Sequence, residues 1–185
     1  TPPADGSRPI RVYTNGVFDT FHHGHARLLK QGKELFPNVF MIVGVTTDAD
    51  TTKMKGKTLM NELERAEQVY HCRWVDQLIV RSPWVMTQEF LDEYEIDVVV
   101  HGDDNSFDEN GNDAYAFIKS IGKYTELQRT NGISTTDLIT RILKDYNGYI
   151  ERCMRRGLTH VDLNIPDNVW EELKQHIKVD KKYGS

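Results

Sequence analysis

The chain has 185 residues, 28% of them charged and 38% hydrophobic, and its 28 acidic against 23 basic side chains leave a net charge of −5. This length supports one substantial core, and the acidic balance argues against nonspecific binding of nucleic acid or an anionic membrane by the whole surface. No apolar run approaches the roughly 18 residues of a membrane span. The opening TPPADGSRP lacks an apolar signal core, so residues 1–9 are expected to form a flexible lead-in.

Apolar runs and segments of helical periodicity alternate along the chain. In chain order they predict a strand at 10–16, a helix at 24–36, a strand at 39–45, a helix at 61–72, a strand at 75–80, a helix at 87–94, a strand at 96–102, a helix at 113–122, a strand at 125–129 and a helix at 134–146. Five strands separated by helices are typical of an α/β fold, here a Rossmann-like, doubly wound, parallel five-stranded sheet with helices on both faces.

The periodic pattern weakens after residue 147. We therefore predict one α/β domain at 10–149 and a C-terminal extension at 150–185, packed on the core or following it, with a short amphipathic helix at 169–177. The two cysteines, Cys72 and Cys153, show no metal or redox spacing, which fits a reducing compartment. A cytoplasmic protein is expected, with the nucleus as the alternative.

Three of the seven histidines lie within four positions in the stretch GVFDTFHHGHA, residues 16–26. The stretch follows the first predicted strand, so it is expected at the carboxyl edge of the sheet, where ligands bind in such folds. Gly24 stands at the predicted start of the next helix, where free backbone N–H groups and the helix dipole favour an anion. His22 and His25, three residues apart, can face the same side of this turn.

A metal site, a structural role and a phosphate contact are the three interpretations of these histidines. Zinc would need further ligands, and no cysteine or carboxylate stands at a suitable spacing. A structural role for one of the two histidines stays open. Contact with phosphate is the favoured interpretation, because the pair flanks a helix-start glycine directly after the first strand.

Two motifs carry a resemblance to a known family. HHGH, at 22–25, resembles the HxGH motif of a nucleotidyltransferase superfamily, and RTNGISTTDL, at 129–138, resembles the RTxGxSTT element of its cytidylyltransferase branch. The resemblance runs from about residue 11 to 149 and includes KGKTLMNELERAEQVYHCRWVDQLI. Within this branch, the chain is most similar to the catalytic domains of choline-phosphate cytidylyltransferases, also in the later stretch YNGYIERCMRRGLTHVDLNI.

The resemblance implies transfer of a cytidylyl group from CTP to phosphocholine, which gives CDP-choline and pyrophosphate and serves phosphatidylcholine synthesis. The attacking phosphate has a second pKa of ~6, so it is largely a dianion at neutral pH and needs no general base. Catalysis is then a matter of aligning two polyanions and stabilising their charge. Mg²⁺ is expected to arrive with CTP rather than to occupy a protein cage.

The resemblance also assigns residues to roles. The catalytic positions are His22, His25, Lys55 and Arg129, with Lys55 bridging the phosphates of both substrates. The CTP-binding positions are Gly16, Phe18, Asp19, Gly24, His101, Asp103, Thr130, Ser134 and Thr135. Plainer alternatives stay open, for example for three of these positions. Lys55 can be a solvated surface lysine, Ser134 a helix cap, and Asp19 a residue that caps the helix or fixes the turn.

The alcohol-binding positions implied by the resemblance are Asn15, Trp84 and Tyr115. A quaternary ammonium has no N–H to donate, so it is recognised by aromatic faces and a carboxylate. Here YTNG stands where the family strand reads YADG, which puts Asn15 in place of an aspartate. Ser106 takes the place of a family tyrosine, with Phe107 next to it as a substitute.

Two alternatives to the choline reaction follow from these departures. HGDD and ENGND are closer to ethanolamine-phosphate cytidylyltransferases, whereas Trp84, LFPNV and the stretch after the sheet are closer to the choline type. The second alternative is a nucleotide-binding module without catalytic activity.

In relatives the segment at Arg73, Trp74, Val75 and Asp76 lies at a dimer interface, so a homodimer is expected, with ordinary packing as the alternative. Membrane binding is expected only through a segment outside this chain.

Overall fold

The structure, a computed structural model, describes residues 8–103 and 105–180. Most of the predicted lead-in at 1–9 therefore lies outside the described residues. The elements in chain order are β1 (Ile10–Gly16), α1 (His23–Lys33), β2 (Val39–Thr46), α2 (Asp48–Met54), α3 (Glu62–Tyr70), β3 (Gln77–Ser82), α4 (Gln88–Glu93), β4 (Val98–Gly102), α5 (Ala116–Ser120), β5 (Tyr124–Leu127), α6 (Thr135–Lys144), α7 (Tyr146–Arg155) and α8 (Asp167–Asp180).

The five strands form one sheet in the order β3-β2-β1-β4-β5, and every pair is parallel. Strand order reverses between β1 and β4, which confirms the predicted doubly wound topology. Side chains alternate between the faces: Val12 and Val98 pack with α1 and α3, while Tyr13 and Val99 pack with α4 and α5. Helices therefore cover both faces, as the apolar strands require.

Local signals account for several helix boundaries. Asn61 accepts from the backbone N–H groups of Leu63 and Glu64, and the Glu64 carboxylate accepts from Asn61 N, so the predicted capping box is present. Thr87 caps α4 as predicted. The helix predicted to reach residue 36 ends at Lys33, before Pro37.

Two helices are not predicted by the sequence pattern. α2 has the polar sequence DADTTKM, which carries no apolar stripe, and its seven residues are held by contacts made elsewhere in the fold. α7 lies mostly in the segment after residue 147 where the periodic pattern weakens, although its buried Ile150 and Cys153 lie three apart on one face.

The chain divides into two compact units, Thr1–Thr135 and Thr136–Ser185. The first contains the sheet. The second has its own small core, in which Ile150 of α7 packs with Trp170 and Leu173 of α8. The predicted division at 149/150 stays a prediction. Within the described ranges, no helix combines the length and apolar character needed to cross a membrane.

Candidate active site

The carboxyl ends of β1 and β4 form the topological switch point of the sheet. β1 leads into α1 on one face, and β4 leads toward α5 on the other. The connections therefore leave in opposite directions, and a crevice opens between them where ligands of doubly wound folds bind.

His22 and His25 lie together at the N-terminus of α1, beside this crevice. Their rings are stacked, with centroids 3.8 Å apart and planes 16° from parallel. His22 is the N-cap residue, and its Nδ1 accepts from the backbone N–H of Gly24 at 3.1 Å. The backbone N–H of His22 donates in turn to Nδ1 of His25 at 3.3 Å. The two side chains thus replace the usual Ser and Glu of a capping box.

These hydrogen bonds fix the tautomer of both rings. A neutral imidazole whose Nδ1 accepts a hydrogen bond carries its proton on Nε2. Burial, together with the nearby His22 and the positive charge of Arg129, lowers the pKa of His25 to about 3. His25 is therefore neutral at physiological pH and offers Nε2–H as a donor without carrying a charge.

Neighbouring side chains fill the space beside Gly24, which explains why this position has no side chain of its own. A Cβ there would lie 2.9 Å from the His22 ring and 2.9 Å from Cγ2 of the buried Ile133. Ile133 lies in the segment RTNGIST, so both sequence motifs meet at this glycine. The Thr135 hydroxyl donates to the carbonyl oxygen of Asp19 at 3.0 Å, which joins the same two segments again.

One pocket at the end of β1 brings together six of the residues predicted from the sequence. Its lining includes Asn15, Gly16, Lys55, Trp84, His101 and Tyr115. These residues come from five separate parts of the chain. Ser106 also lines the pocket, while Phe107 lines the neighbouring depression beside Trp84.

The floor of this pocket is a hydrogen-bonded pair of buried side chains. The Tyr115 hydroxyl donates to Oδ1 of Asn15 at 2.7 Å, and Nδ2 of Asn15 donates to the Pro83 carbonyl at 3.0 Å. The His101 ring packs on Tyr115 with centroids 4.6 Å apart. Asn15 thus holds the Tyr115 ring and the chain segment before Trp84 in place.

The rim of the pocket carries a positive charge over an aromatic ring. Lys55 is the C-cap residue of α2, and its Nζ lies 5.7 Å from the centroid of the Trp84 ring. The indole N–H of Trp84 donates to the Phe107 carbonyl at 2.9 Å. The Trp84 ring is therefore fixed at one edge while a face is turned toward a cation.

The remaining predicted residues lie outside the lining of this pocket or contribute to it through the backbone. The buried Asp19 carboxylate accepts from the backbone N–H groups of Leu59 and Met60, which fits its alternative as a turn-fixing residue, and its CTP contact stays a prediction. A Cβ on Gly16 would lie 3.1 Å from the ring of Phe18, whose φ is 54°. Asp103, Arg129, Thr130 and Ser134 follow the ends of β4 and β5, at the same edge of the sheet.

The predicted dimer segment lies at the opposite, amino edge of the parallel sheet, just before β3. The half-buried Trp74 packs against the core beneath α1 and α3, and Val75 joins it there. Asp76 accepts from the backbone N–H of Met41 at 2.6 Å and pairs with Lys33. The packing alternative thus has structural support, and the interface stays a prediction.

Sequence reasoning missed the role of Arg65. Its side chain is fully buried, and its guanidinium donates to the carbonyls of Met60, Val17 and Thr46 and to the Asp48 carboxylate. The helix also contains three glutamates and one glutamine, and an arginine among them has the pattern of a solvent-exposed residue. Its burial depends on carbonyls that the fold alone brings together.

Comparisons with known proteins agree with this geometry. Residues 13–141 match the family model "Cytidylyltransferase-like". Choline-phosphate cytidylyltransferase 2 of Arabidopsis thaliana is 50% identical over 88% of this chain and 54% of its own length. The ethanolamine-phosphate cytidylyltransferase of Dictyostelium discoideum is 44% identical over 74% of this chain and 37% of its own.

Among solved structures, the lipopolysaccharide core biosynthesis protein of Thermoplasma volcanium superposes with a TM-score of 0.51 at 25% identity, over 65% of this chain and 96% of its own. The chain spans about half the length of the curated relatives it matches. The matched residues, 13–141, contain the second half of β1, the other four strands, both histidines and the RTNGISTT segment. The chain therefore belongs to the cytidylyltransferase-like family.

Proposed function

We propose that this chain transfers a cytidylyl group from CTP to phosphocholine, releasing pyrophosphate and CDP-choline. The observation that carries the proposal is the stacked pair His22 and His25, whose Nδ1 atoms both accept from backbone N–H groups at the switch point, beside a pocket lined by both Lys55 and Trp84. A phosphate site next to an aromatic site for a cation fits a phosphorylated amino alcohol.

The reaction makes one P–O bond and breaks another. An oxygen of the phosphocholine phosphate attacks the α-phosphorus of CTP, the bond from that phosphorus to the α,β-bridging oxygen breaks, and pyrophosphate leaves with the bonding electrons. The attacking group is already a dianion, so no proton has to move first. The protein has to hold both phosphates close and to stabilise the charge that builds on the leaving group.

The two histidines suit the second task. Nε2–H of His22 and of His25 would donate to phosphate oxygens of CTP, and preorganised donors of this kind need no rearrangement as charge develops. Lys55 would bridge the phosphates of the two substrates. Further phosphate oxygens would be held by Arg129, Thr130, Ser134 and Thr135. Gly24 lets Ile133, from the same RTNGISTT segment, pack against the histidine turn.

Phosphocholine is favoured over phosphoethanolamine by the way the pocket uses its polar atoms. Asn15 already accepts from Tyr115 and donates to Pro83, so its amide is engaged within the protein. The pocket therefore offers aromatic ring faces to a ligand rather than a hydrogen-bond acceptor. A trimethylammonium needs only ring faces, whereas a primary ammonium has three N–H donors to satisfy. The higher identity to the choline enzyme supports the same choice.

The wider setting is proposed on the same basis. Mg²⁺ would enter bound to the triphosphate, because this ion prefers oxygen ligands and is usually held by substrate phosphates with a few waters. We propose a homodimer formed through 73–76, and a cytoplasmic or nuclear location. Residues 10–149 would form the catalytic domain, with 150–185 as its extension.

A pyrophosphate-release assay tests the function directly. CTP and Mg²⁺ are supplied with phosphocholine, phosphoethanolamine or glycerol 3-phosphate, and ATP replaces CTP as the nucleotide control. Release that is fastest with phosphocholine and depends on CTP is expected. A preference for phosphoethanolamine would move the assignment to the ethanolamine branch. Release with none of the three, while CTP still binds, would make the chain a nucleotide-binding module.

A further inference from the structure

The short helix α2 determines where Lys55 lies. The helix has seven residues, so its N-terminal Asp48 and the C-cap Lys55 are about 10 Å apart along its axis. Of its residues, only Thr51 is buried, and the Thr51 and Thr46 hydroxyls share a hydrogen bond of 2.9 Å. An isolated helix of this length is unstable in water, so its position depends on what anchors its ends.

The N-terminus of α2 is anchored by an exchange of hydrogen bonds with the N-terminus of α3. The Glu62 carboxylate accepts from the backbone N–H of Asp48, and the Asp48 carboxylate accepts from the backbone N–H of Glu62, both at 3.0 Å. Each carboxylate also lies at the positive end of the other helix, which strengthens both bonds. Arg81 pairs with Glu62 from the end of β3.

Arg65 joins this exchange to the histidine turn. Its Nη2 donates to Oδ1 of Asp48 at 2.8 Å, while its Nη1 donates to the carbonyl of Val17 at 2.6 Å. Val17 lies between β1 and the His22 turn, so one buried guanidinium contacts both the lysine helix and the histidine loop. Desolvation acts to raise the pKa of Asp48, but the hydrogen bonds from Arg65 and from Glu62 N, together with the Arg65 charge, hold it below its usual range.

We propose that Asp48, held between Arg65 and Glu62, is a positioning residue for Lys55. The inference rests on the proposed function, in which Lys55 bridges the two phosphates. Because α2 is short and rigid, a displacement of Asp48 at its first residue also moves Lys55 at its C-cap. Arg65 still holds the Val17 carbonyl, so the loop that carries His22 stays where it is. Misplacement of a catalytic group by about 1 Å can lower turnover by up to a hundredfold.

A double-mutant cycle separates positioning from general support of the fold. Steady-state turnover is measured with CTP and phosphocholine for the unaltered chain, Asp48→Asn, Lys55→Ala and the double variant, using radiolabelled CTP so that very slow rates are followed. We expect Asp48→Asn alone to lower kcat on the order of tenfold, with KM for CTP nearly unchanged. In the Lys55→Ala background it should lower kcat less than about twofold.

The matched control is Glu64→Ala. Glu64 caps the same end of α3 but contacts Asn61 rather than α2, so its loss should lower thermal stability without lowering kcat. If Asp48→Asn does not fold, Glu62→Ala is tested in the same cycle, since it removes the acceptor of the Asp48 N–H while the Asp48–Arg65 pair stays. Equal fold-losses in both backgrounds, or an unchanged kcat in the single variant, would overturn the positioning role. An active Lys55→Ala variant would overturn the role of Lys55 itself, and no turnover in the unaltered chain would overturn the proposed function.

Discussion

The candidate site has two ends that are built in different ways. At the phosphate end, one turn of chain supplies both histidine donors: His22 and His25 lie three residues apart, and the Nδ1 of each accepts from a backbone N–H of the same turn. At the alcohol end, Tyr115 donates to Asn15 across 100 residues of sequence, and Trp84 is tied to a separate loop at Phe107.

This difference suits the two tasks that we propose. The histidine turn is held by bonds within one helix start, and it would bind a feature that all candidate substrates share. The alcohol end exists only in the complete fold, and a single substitution in any contributing loop changes its shape. Substitutions at the phosphate end should therefore lower kcat for every alcohol, and those at the alcohol end should change KM for one of them.

The largest effect is expected at the phosphate end. His22→Ala or His25→Ala removes a preorganised Nε2–H donor, and loss of one such donor lowers kcat by about 10²- to 10³-fold. The loss should be the same with phosphocholine and phosphoethanolamine, as measured by pyrophosphate release. His23→Ala is the matched control, because His23 is exposed and adjoins the same turn. Normal turnover in both His22 and His25 variants would contradict the assigned roles.

Folding stability should depend on pH through His25. Because burial lowers its pKa from 6.5 to about 3, the unfolded chain takes up a proton near pH 6.5 that the folded chain does not. The free energy of unfolding should therefore fall on acidification from pH 7.5 to 5, by up to about 2 kcal/mol. Urea denaturation at both pH values measures this, and His25→Gln should reduce the difference by that amount whereas His23→Gln should not. An unaltered difference in His25→Gln would show that His25 protonates in the folded state.

The contrast between the two ends also explains what the sequence predicts. The parallel sheet, the capping box at Asn61 and the helix start at the histidines all depend on residues within a few positions of each other, so the pattern is visible along the chain. The resemblance adds residues of the pocket, such as Trp84 and Tyr115, which spacing alone does not connect. Their common pocket follows only from the strand order.

Features without a local cause could not be predicted. α2 has no apolar stripe and is held by Asp48 and Thr51, whose partners are 14 and 5 residues away. Arg65 has the sequence context of an exposed residue, and its burial is stabilised by three carbonyls and a carboxylate that meet only after folding. Buried charges of this kind need complete hydrogen bonding, which a sequence does not display.

A smaller effect, confined to one substrate, is expected at the alcohol end. Trp84→Ala removes a face for the trimethylammonium, an interaction of about 1 kcal/mol, so KM for phosphocholine should rise roughly five- to tenfold while KM for CTP stays within about twofold. Trp84→Phe keeps an aromatic face and loses the bond to the Phe107 carbonyl, so it should retain part of the affinity. Initial-rate kinetics with each substrate varied in turn measure both constants. An equal rise in both KM values would show that Trp84 supports the whole site instead.

The smallest effect is expected from Asn15→Asp, and it tests why the alcohol end carries an amide. A carboxylate keeps the bond from Tyr115 but loses the donor to the Pro83 carbonyl, so two oxygens would face each other where Nδ2 now lies 3.0 Å from that carbonyl. We expect a loss of about 1 kcal/mol in the free energy of unfolding, by urea denaturation. The added negative charge should at the same time lower KM for phosphocholine roughly fivefold. Glycerol 3-phosphate, which has no cation, should gain nothing, and an equal gain would show that charge at residue 15 does not act on the ammonium. Stability and affinity would then be opposed at a single buried side chain, because the amide that completes the hydrogen bonding of the pocket floor is the group that leaves the cation without a counter-charge.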